Sequence, residues 1–396
     1  MTTSTKTLLF LTIHFVTILP CQSQIDIQKI DDLVGSHMAE NNIPGMVVGI
    51  VKDKELIFSK GYGFSDVEAE KEMDPDMIMN VGSISKTITS TAIMQLWEQG
   101  KLELDADINN YLPISIQNPN HPDEMITIQQ LLTHTSSIID GPAYQESYQC
   151  GDPTISLKVW ITEYLVGGGK FYNPEANFLD KKPGEKHQYS NVGFGLLGYI
   201  VEEVSKQPFK QYCRENIFEP LGMQQTGWFI QSIDETNHIT PHIFVNNDNR
   251  QMIINHFSDF FPNETEFILG TNIGLCLYSF PNYPDGLVRT NIEELSYFLR
   301  TFMNEGIFNG QRILKRSTVE KILSPQDKSD HNQGLCWSRS NFESLWGHNG
   351  SDPGIATKMQ FSKDTGIGII IFQNNNEGDQ FGLLKEIYQT TTEGLK

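Results

Sequence analysis

Residues 81–90, VGSISKTITS, set a serine and a lysine three positions apart, Ser83 and Lys86. From Ser85 onward Ile88, Ala92, Ile93, Leu96 and Trp97 recur at helical spacing, and Gly100 closes the pattern. Residues i and i+3 share a helix face, so the lysine can reach the serine hydroxyl within one turn. At the start of that helix, free N–H groups and the helix dipole favour developing negative charge. A serine is a poor nucleophile until a neighbour takes its proton, and Lys86 is placed to do so. The plain alternative is a capping serine followed by a surface lysine. What decides between them is the rest of the chain.

Upstream, residues 27–42 read as a helix, and GMVVGIVKDKELIFSKGYGF (45–64) reads as two strands joined near Asp53 and Lys54 in a turn that lacks the usual glycine. Downstream, ITIQQLLTHTS, LKVWITEYLV, FGLLGYIVEEVS and FKQYCRENIF each carry short amphipathic periodicity. Strand-like alternation returns near the C-terminus in QGLCWSRS, ESLWGHNG, TKMQFS and GIGIIIFQNN, with a turn at residues 363–366, and QFGLLKEIYQTT reads as a last helix. Strands at both ends around a helical middle predict an α/β chain of the α+β type. Its antiparallel sheet is built from N- and C-terminal segments flanked by helices, with a mainly helical domain inserted. The division expected is a signal peptide over 1–24, a sheet domain from 25–104 and 285–396, and the insertion over 105–284. The stretch 229–288, rich in Asn, Asp and Phe, carries the weakest pattern.

The chain has 396 residues, a formal charge of −20, 38% hydrophobic and 20% charged residues, which is ordinary for a globular protein. Such an acidic balance argues against a nucleic-acid or anionic-lipid partner, because those surfaces need Lys and Arg to displace counterions. The start, MTTSTKTLLFLTIHFVTILPCQSQ, has one lysine, an apolar run from Leu8 to Leu19 and then small polar residues. That layout predicts export, secreted or periplasmic, with a lipid anchor at Cys21 as the lesser alternative because Pro20 precedes it. No later segment reaches the length of a membrane span. Cys150, Cys213, Cys276 and Cys336 remain after residue 24; they are scattered, can pair in three ways, or can stay as buried thiols. Asn263-Glu264-Thr265 is a glycosylation sequon for a eukaryotic host only.

Two further patterns stand with the first: Tyr189-Ser190-Asn191 and His348-Asn349-Gly350. With IPGMVVGIV, GKLELDADINNYLP, ITIQQLLTHTSS, PFKQYCRENIFEPLGMQQTGW and DGLVRT in the same order, the chain over about residues 28–390 resembles the serine β-lactamase-related family. That family holds class C β-lactamases, D-alanyl-D-alanine carboxypeptidases and esterase relatives, and the resemblance implies a β-lactamase/transpeptidase-like fold. It further implies Ser83 as acylated nucleophile, Lys86 as its proton partner, Tyr189 as the phenol that moves protons, and Asn191 as a hydrogen-bond donor into the site. The backbone N–H groups of Ser83 and Ser351 would form the oxyanion hole, and Gly350 would let the strand edge approach substrate. Lysine and tyrosine are poor bases at their reference pKa values of about 10.4 and about 10. In a partly desolvated cleft, one proton can be shared between them.

The sequence departs from that family at His348, where lysine commonly faces a substrate carboxylate. Histidine is mostly neutral at pH 7, which points away from efficient β-lactam turnover and toward an ester or amide substrate without that anchor. Ser137 stands where glycine is more usual. His134 reads as a structural histidine in a helix and not as a triad member. Gly193, Gly195 and Gly198 match GxGxxG without the preceding strand, so they read as close helix packing. Residues 167–170 lack the Walker spacing, and neither GxSxG nor HExxH occurs. The expectation is thus a serine hydrolase acting through an acyl-enzyme on a small ester, amide or peptide, with no metal and no organic cofactor. A D-alanyl-D-alanine carboxypeptidase or β-lactamase is the runner-up, and a catalytically silent penicillin-binding-like or scaffold protein is the reading from another class. The oligomeric state stays open.

Overall fold

A computed structural model describes residues 25–254, 258–261, 267–326 and 332–395. The expected signal segment, Cys21 and the sequon at 263–265 lie outside these residues. Helix α1 (Ile27–Glu40) is capped by Asp26, whose carboxylate accepts from Lys29 N. It leads to strands β1 (Gly45–Lys52), β2 (Glu55–Asp66) and the short β3 (Lys71–Glu72). The β1–β2 turn does without glycine because Asp53 and Lys54 both take positive φ, +47° and +76°, as a tight hairpin demands.

Helix α2 (Ser85–Glu98) follows a 3-10 turn at Gly82–Ile84 and runs through the interior, with every residue from Ser85 to Leu96 buried. Its polar side chains are satisfied locally or across the core: Thr87 Oγ1 donates to Ile84 O, Thr91 Oγ1 to Thr87 O, and Ser85 Oγ accepts from Val288 N. Helix α3 (Ile128–Leu132) opens on a capping box between Thr127 and Gln130. It is shorter than its sequence pattern, because His134 (φ +56°) and Ser137 (φ +64°) turn the chain left-handed. Ser137 thereby adopts the conformation for which glycine is the usual residue. Helix α4 (Leu157–Leu165) packs against α5 (Asn191–Ser205), α5 and α6 (Phe209–Cys213) pack beside α2, and α6 continues into a π turn at Arg214–Phe218.

Helix α7 (Ile292–Met303) returns the chain to the sheet, completed by β4 (Ser338–Arg339), β5 (Trp346–Asp352), β6 (Ile355–Phe361), β7 (Ile367–Gln373) and the final helix α8 (Gln380–Gly394). The seven strands lie in the order β4-β5-β6-β7-β1-β2-β3, antiparallel throughout. The central register pairs Val48 with Ile371. Met46, Val48, Ile50, Ile369 and Ile371 face α1 and α8, while Val47, Val51, Ile370 and Phe372 face α7 and the helical core. Each fully buried aliphatic side chain here contributes about 1.5–3 kcal/mol. Within 229–288, a two-stranded pair joins His242–Phe244 to Asn272–Gly274 over a small apolar cluster, and Cys150–Cys276 ties that region to the segment 149–150. Cys213 and Cys336 are buried free thiols.

Candidate active site

Ser83 sits in the 3-10 turn two residues before α2 begins, on a backbone tied down just upstream. Val81 N donates to Val288 O and Gly82 N to Asn80 Oδ1. Lys86, fully buried, lies one turn further on. Its Nζ donates to Ser83 Oγ at 2.9 Å, to Asn191 Oδ1 at 2.7 Å and to the Asp285 carbonyl at 2.8 Å, with Asp285 Oδ2 at 3.5 Å. All three ammonium hydrogens are therefore engaged.

Tyr189 precedes α5, whose N-cap is Ser190, the hydroxyl accepting from Gly193 N at 3.0 Å. The Tyr189 ring centroid is 5.0 Å from Lys86 Nζ, and the ring stacks on His134 at 4.3 Å. Burial on its own would push Lys86 down, yet its coupling to the Tyr189 hydroxyl and the carboxylate charges of Asp285 and Asp140 outweigh it and hold the pKa above the ordinary value. Tyr189 keeps 38% of its surface at the cleft wall, but the groups packed around its hydroxyl desolvate it and raise its pKa; Lys86 and Ser83 only partly offset this. The resting pair is an ammonium beside a phenol. The carboxylates of Asp285 and Asp140 help to keep that proton on the lysine despite its burial.

Asp140 and Asp285 of this arrangement carry no role in the sequence pattern, and His134 is read there as structural only. Asp140 accepts from the backbone N–H of Asn191 and Val192 and from Asn191 Nδ2 at 2.9 Å, fixing which end of that amide meets Lys86. Asp285 lies in the DGLVRT segment but carried no role there. His134, taken for a helical histidine, lies just past α3; its Nδ1 accepts from Ser190 N at 3.1 Å, so it braces the tyrosine loop. The signal for Asp140 and Asp285 is only their loop position, since each meets its partners across more than 50 residues.

Strand β5 closes the other wall. A methyl group placed on Gly82 (φ +54°) would stand 3.0 Å from Ser351 N, so the two proposed oxyanion segments are in van der Waals contact. A methyl on Gly350 would stand 2.0 Å from Val81 O and 2.2 Å from Thr357 Oγ1. The missing side chain of Gly350 thus admits the segment that carries Ser83, and Gly350 also lines the cavity. His348 is 8% exposed, and its Nδ1 donates to Asn349 O at 2.6 Å. Burial and the nearby Lys86 push its pKa down to about 4, so it stands neutral.

Ser83, Tyr189, Asn191, His348, Gly350 and Ser351 all line one cavity of about 650 Å³. The GxGxxG run packs as read: a methyl on Gly195 would stand 1.8 Å from Asn282 Oδ1 and one on Gly198 2.4 Å from Pro284.

The sequence model described as Beta-lactamase matches residues 30–390. The chain belongs to the beta-lactamase family. It is 24% identical over 350 residues to Protein flp of Staphylococcus aureus strain N315, covering 88% of this chain and 63% of that one. It thus spans less than two thirds of that relative. Among solved structures it superposes on the D-amino acid amidase of Ochrobactrum anthropi SV3, complexed with L-phenylalanine, with a TM-score of 0.73 and 17% identity over 93% of this chain and all of that one. The octameric penicillin-binding protein homologue of Pyrococcus abyssi gives 0.69 and 23%, over 93% and 77% of the two chains. These likenesses share the beta-lactamase fold, a mixed α/β architecture on a large antiparallel sheet. Among the described residues no helix is long and apolar enough to cross a membrane.

Proposed function

We propose that the protein is a serine hydrolase that acylates Ser83 and then hydrolyses the acyl-enzyme. The observation that carries this is the 2.9 Å contact between Lys86 Nζ and Ser83 Oγ in a cavity that also receives Tyr189. When the Lys86/Tyr189 pair loses a proton, it becomes the base that takes the serine proton as Oγ attacks a carbonyl carbon. The same pair returns that proton to the leaving group, and repeats the exchange with water as nucleophile. The N–H groups of Ser83 and Ser351 are the candidates to hold the oxyanion.

Neutral His348 offers no cation to a substrate carboxylate, which favours a small ester, amide or short peptide over a carboxypeptidase or β-lactam substrate. The Cys150–Cys276 disulfide supports an exported protein, since such bonds persist in oxidising compartments. The test is labelling by a fluorophosphonate probe. Wild type should react and Ser83→Ala should not; labelling that survives the substitution sinks the assignment, and no labelling of either protein favours a silent scaffold. Turnover of nitrophenyl esters should exceed that of nitrocefin.

A further inference from the structure

Beyond the nucleophile, the cavity ends in a corner built from one carboxylate and three aromatic rings. Asp352 is the residue directly after Ser351 on β5. Its carboxylate lines the same cavity and reaches the turn that carries Ser83 through Asn80, whose Nδ2 donates to Asp352 Oδ2 and whose Oδ1 accepts from Gly82 N. Asp352 Oδ1 accepts from Tyr148 Oη at 2.8 Å and its Oδ2 from Asn80 Nδ2 at 3.2 Å. A carboxylate has about four acceptor positions, so capacity remains. Phe280 packs against Tyr148 with ring centroids 4.4 Å apart, Tyr144 meets both rings edge-on, and all three aromatics line the cavity with Asp352.

No cation answers this carboxylate. Among the described residues no lysine, arginine or histidine lies within ion-pair distance of Asp352, whereas Asp285 has Lys86 at 3.5 Å. Lys86 has spent its three hydrogens. Lys358, also in the cavity wall, is opposite Asn349 in the β5–β6 register and feels the charge of Asp379. His348 is neutral. A half-buried acid without a counter-charge carries a desolvation cost that a bound cation would relieve. Aromatic faces around it add favourable quadrupole interactions with such a cation.

We infer that Asp352, with Tyr148 and Phe280, forms a subsite for a substrate ammonium group, and that the substrates are amides or esters of acids bearing a free amine close to the scissile carbonyl. This rests on the reading of Ser83 as the nucleophile and adds the substrate class to it. Burial pushes the Asp352 carboxyl up to about 7, and the approach of an ammonium would hold it ionised.

The test separates binding from turnover by using the Ser83→Ala protein. Calorimetry at about pH 8, where a primary amine is charged, compares phenethylamine with its neutral isostere 2-phenylethanol. The ammonium should bind at least tenfold more tightly, and adding Asp352→Asn should bring the ratio to within twofold. Equal binding of the two probes, or a preference that survives Asp352→Asn in a protein whose far-UV and near-UV dichroism are native, overturns the inference. The conservative Asp352→Glu, should it restore part of the preference, guards against a folding artefact. Loss of fluorophosphonate labelling would remove the hydrolase reading without touching this result. An absent ammonium preference would remove the subsite and leave the hydrolase reading intact.

Discussion

The carboxylate of Asp140 takes the amide nitrogen of Asn191 at 2.9 Å, and so turns the amide oxygen toward Lys86, 2.7 Å away. Asp140 touches no reacting atom; it positions the group that does. Asp140→Asn should leave KM near the wild-type value and lower kcat by about 10²-fold, the scale on which a misplacement of about 1 Å acts. Loss of the negative charge at the start of α5 should also cost about 1 kcal/mol. Steady-state kinetics beside thermal melts distinguish this from a merely structural role, which would move stability alone.

Lys86 and Tyr189 both titrate above their ordinary values, so the base form of the pair is scarce at neutral pH. The rate should therefore rise with pH as the pair gives up its proton, with kcat/KM gaining about tenfold per unit between about pH 6 and pH 8. Tyr189→Phe should lower kcat by about 10³-fold and flatten that rise. A pH-independent profile in the wild type would assign the proton transfer elsewhere.

Stability should peak near neutrality, for two opposed reasons. His238, His242 and His348 are held neutral by burial, with pKa values of about 3, about 4 and about 4. Because the unfolded chain binds protons there first, folding weakens as pH falls from about 6.5 to about 4. Asp285 and Asp352 are shifted the other way by burial, to about 6 and about 7. The folded state holds those protons longer, so stability declines as pH rises toward 7. The margin of Asp352→Asn over wild type should accordingly widen between about pH 5 and about pH 8, reaching about 1 kcal/mol at the upper value for this partly exposed group. Urea titrations at the two pH values measure it.

The Cys150–Cys276 bond spans 126 residues and anchors the segment that carries Tyr148. Replacing both cysteines with serine should destabilise the protein by about 2–4 kcal/mol, read from the urea midpoint under non-reducing conditions. Reduction of the wild type should reproduce that loss.

The strands, the buried helix behind Ser83 and the meeting of Ser83, Lys86 and Tyr189 were legible because each rests on local pattern or on a resemblance carried by short motifs. The details that escaped reading are those in which one residue answers another far along the chain. Asp140, Asp285 and Asp352 are unremarkable loop or strand-end acids until Asn191, Lys86 and Tyr148 are brought to them. Likewise the early end of α3 follows from left-handed backbone at His134 and Ser137, a conformation that neither residue type announces. That the segment carrying Ser83 closes against Gly350 is likewise a tertiary fact.

The pairing of Val48 with Ile371 has a further consequence for biogenesis. The ribosome makes the first half of this ladder more than 300 residues before its other half, so a nascent chain holds β1 without its mate until synthesis is almost finished. Contacts of such sequence separation form slowly. A premature stop anywhere before Ile367 therefore yields a product that lacks the strand joining the two halves of its principal sheet.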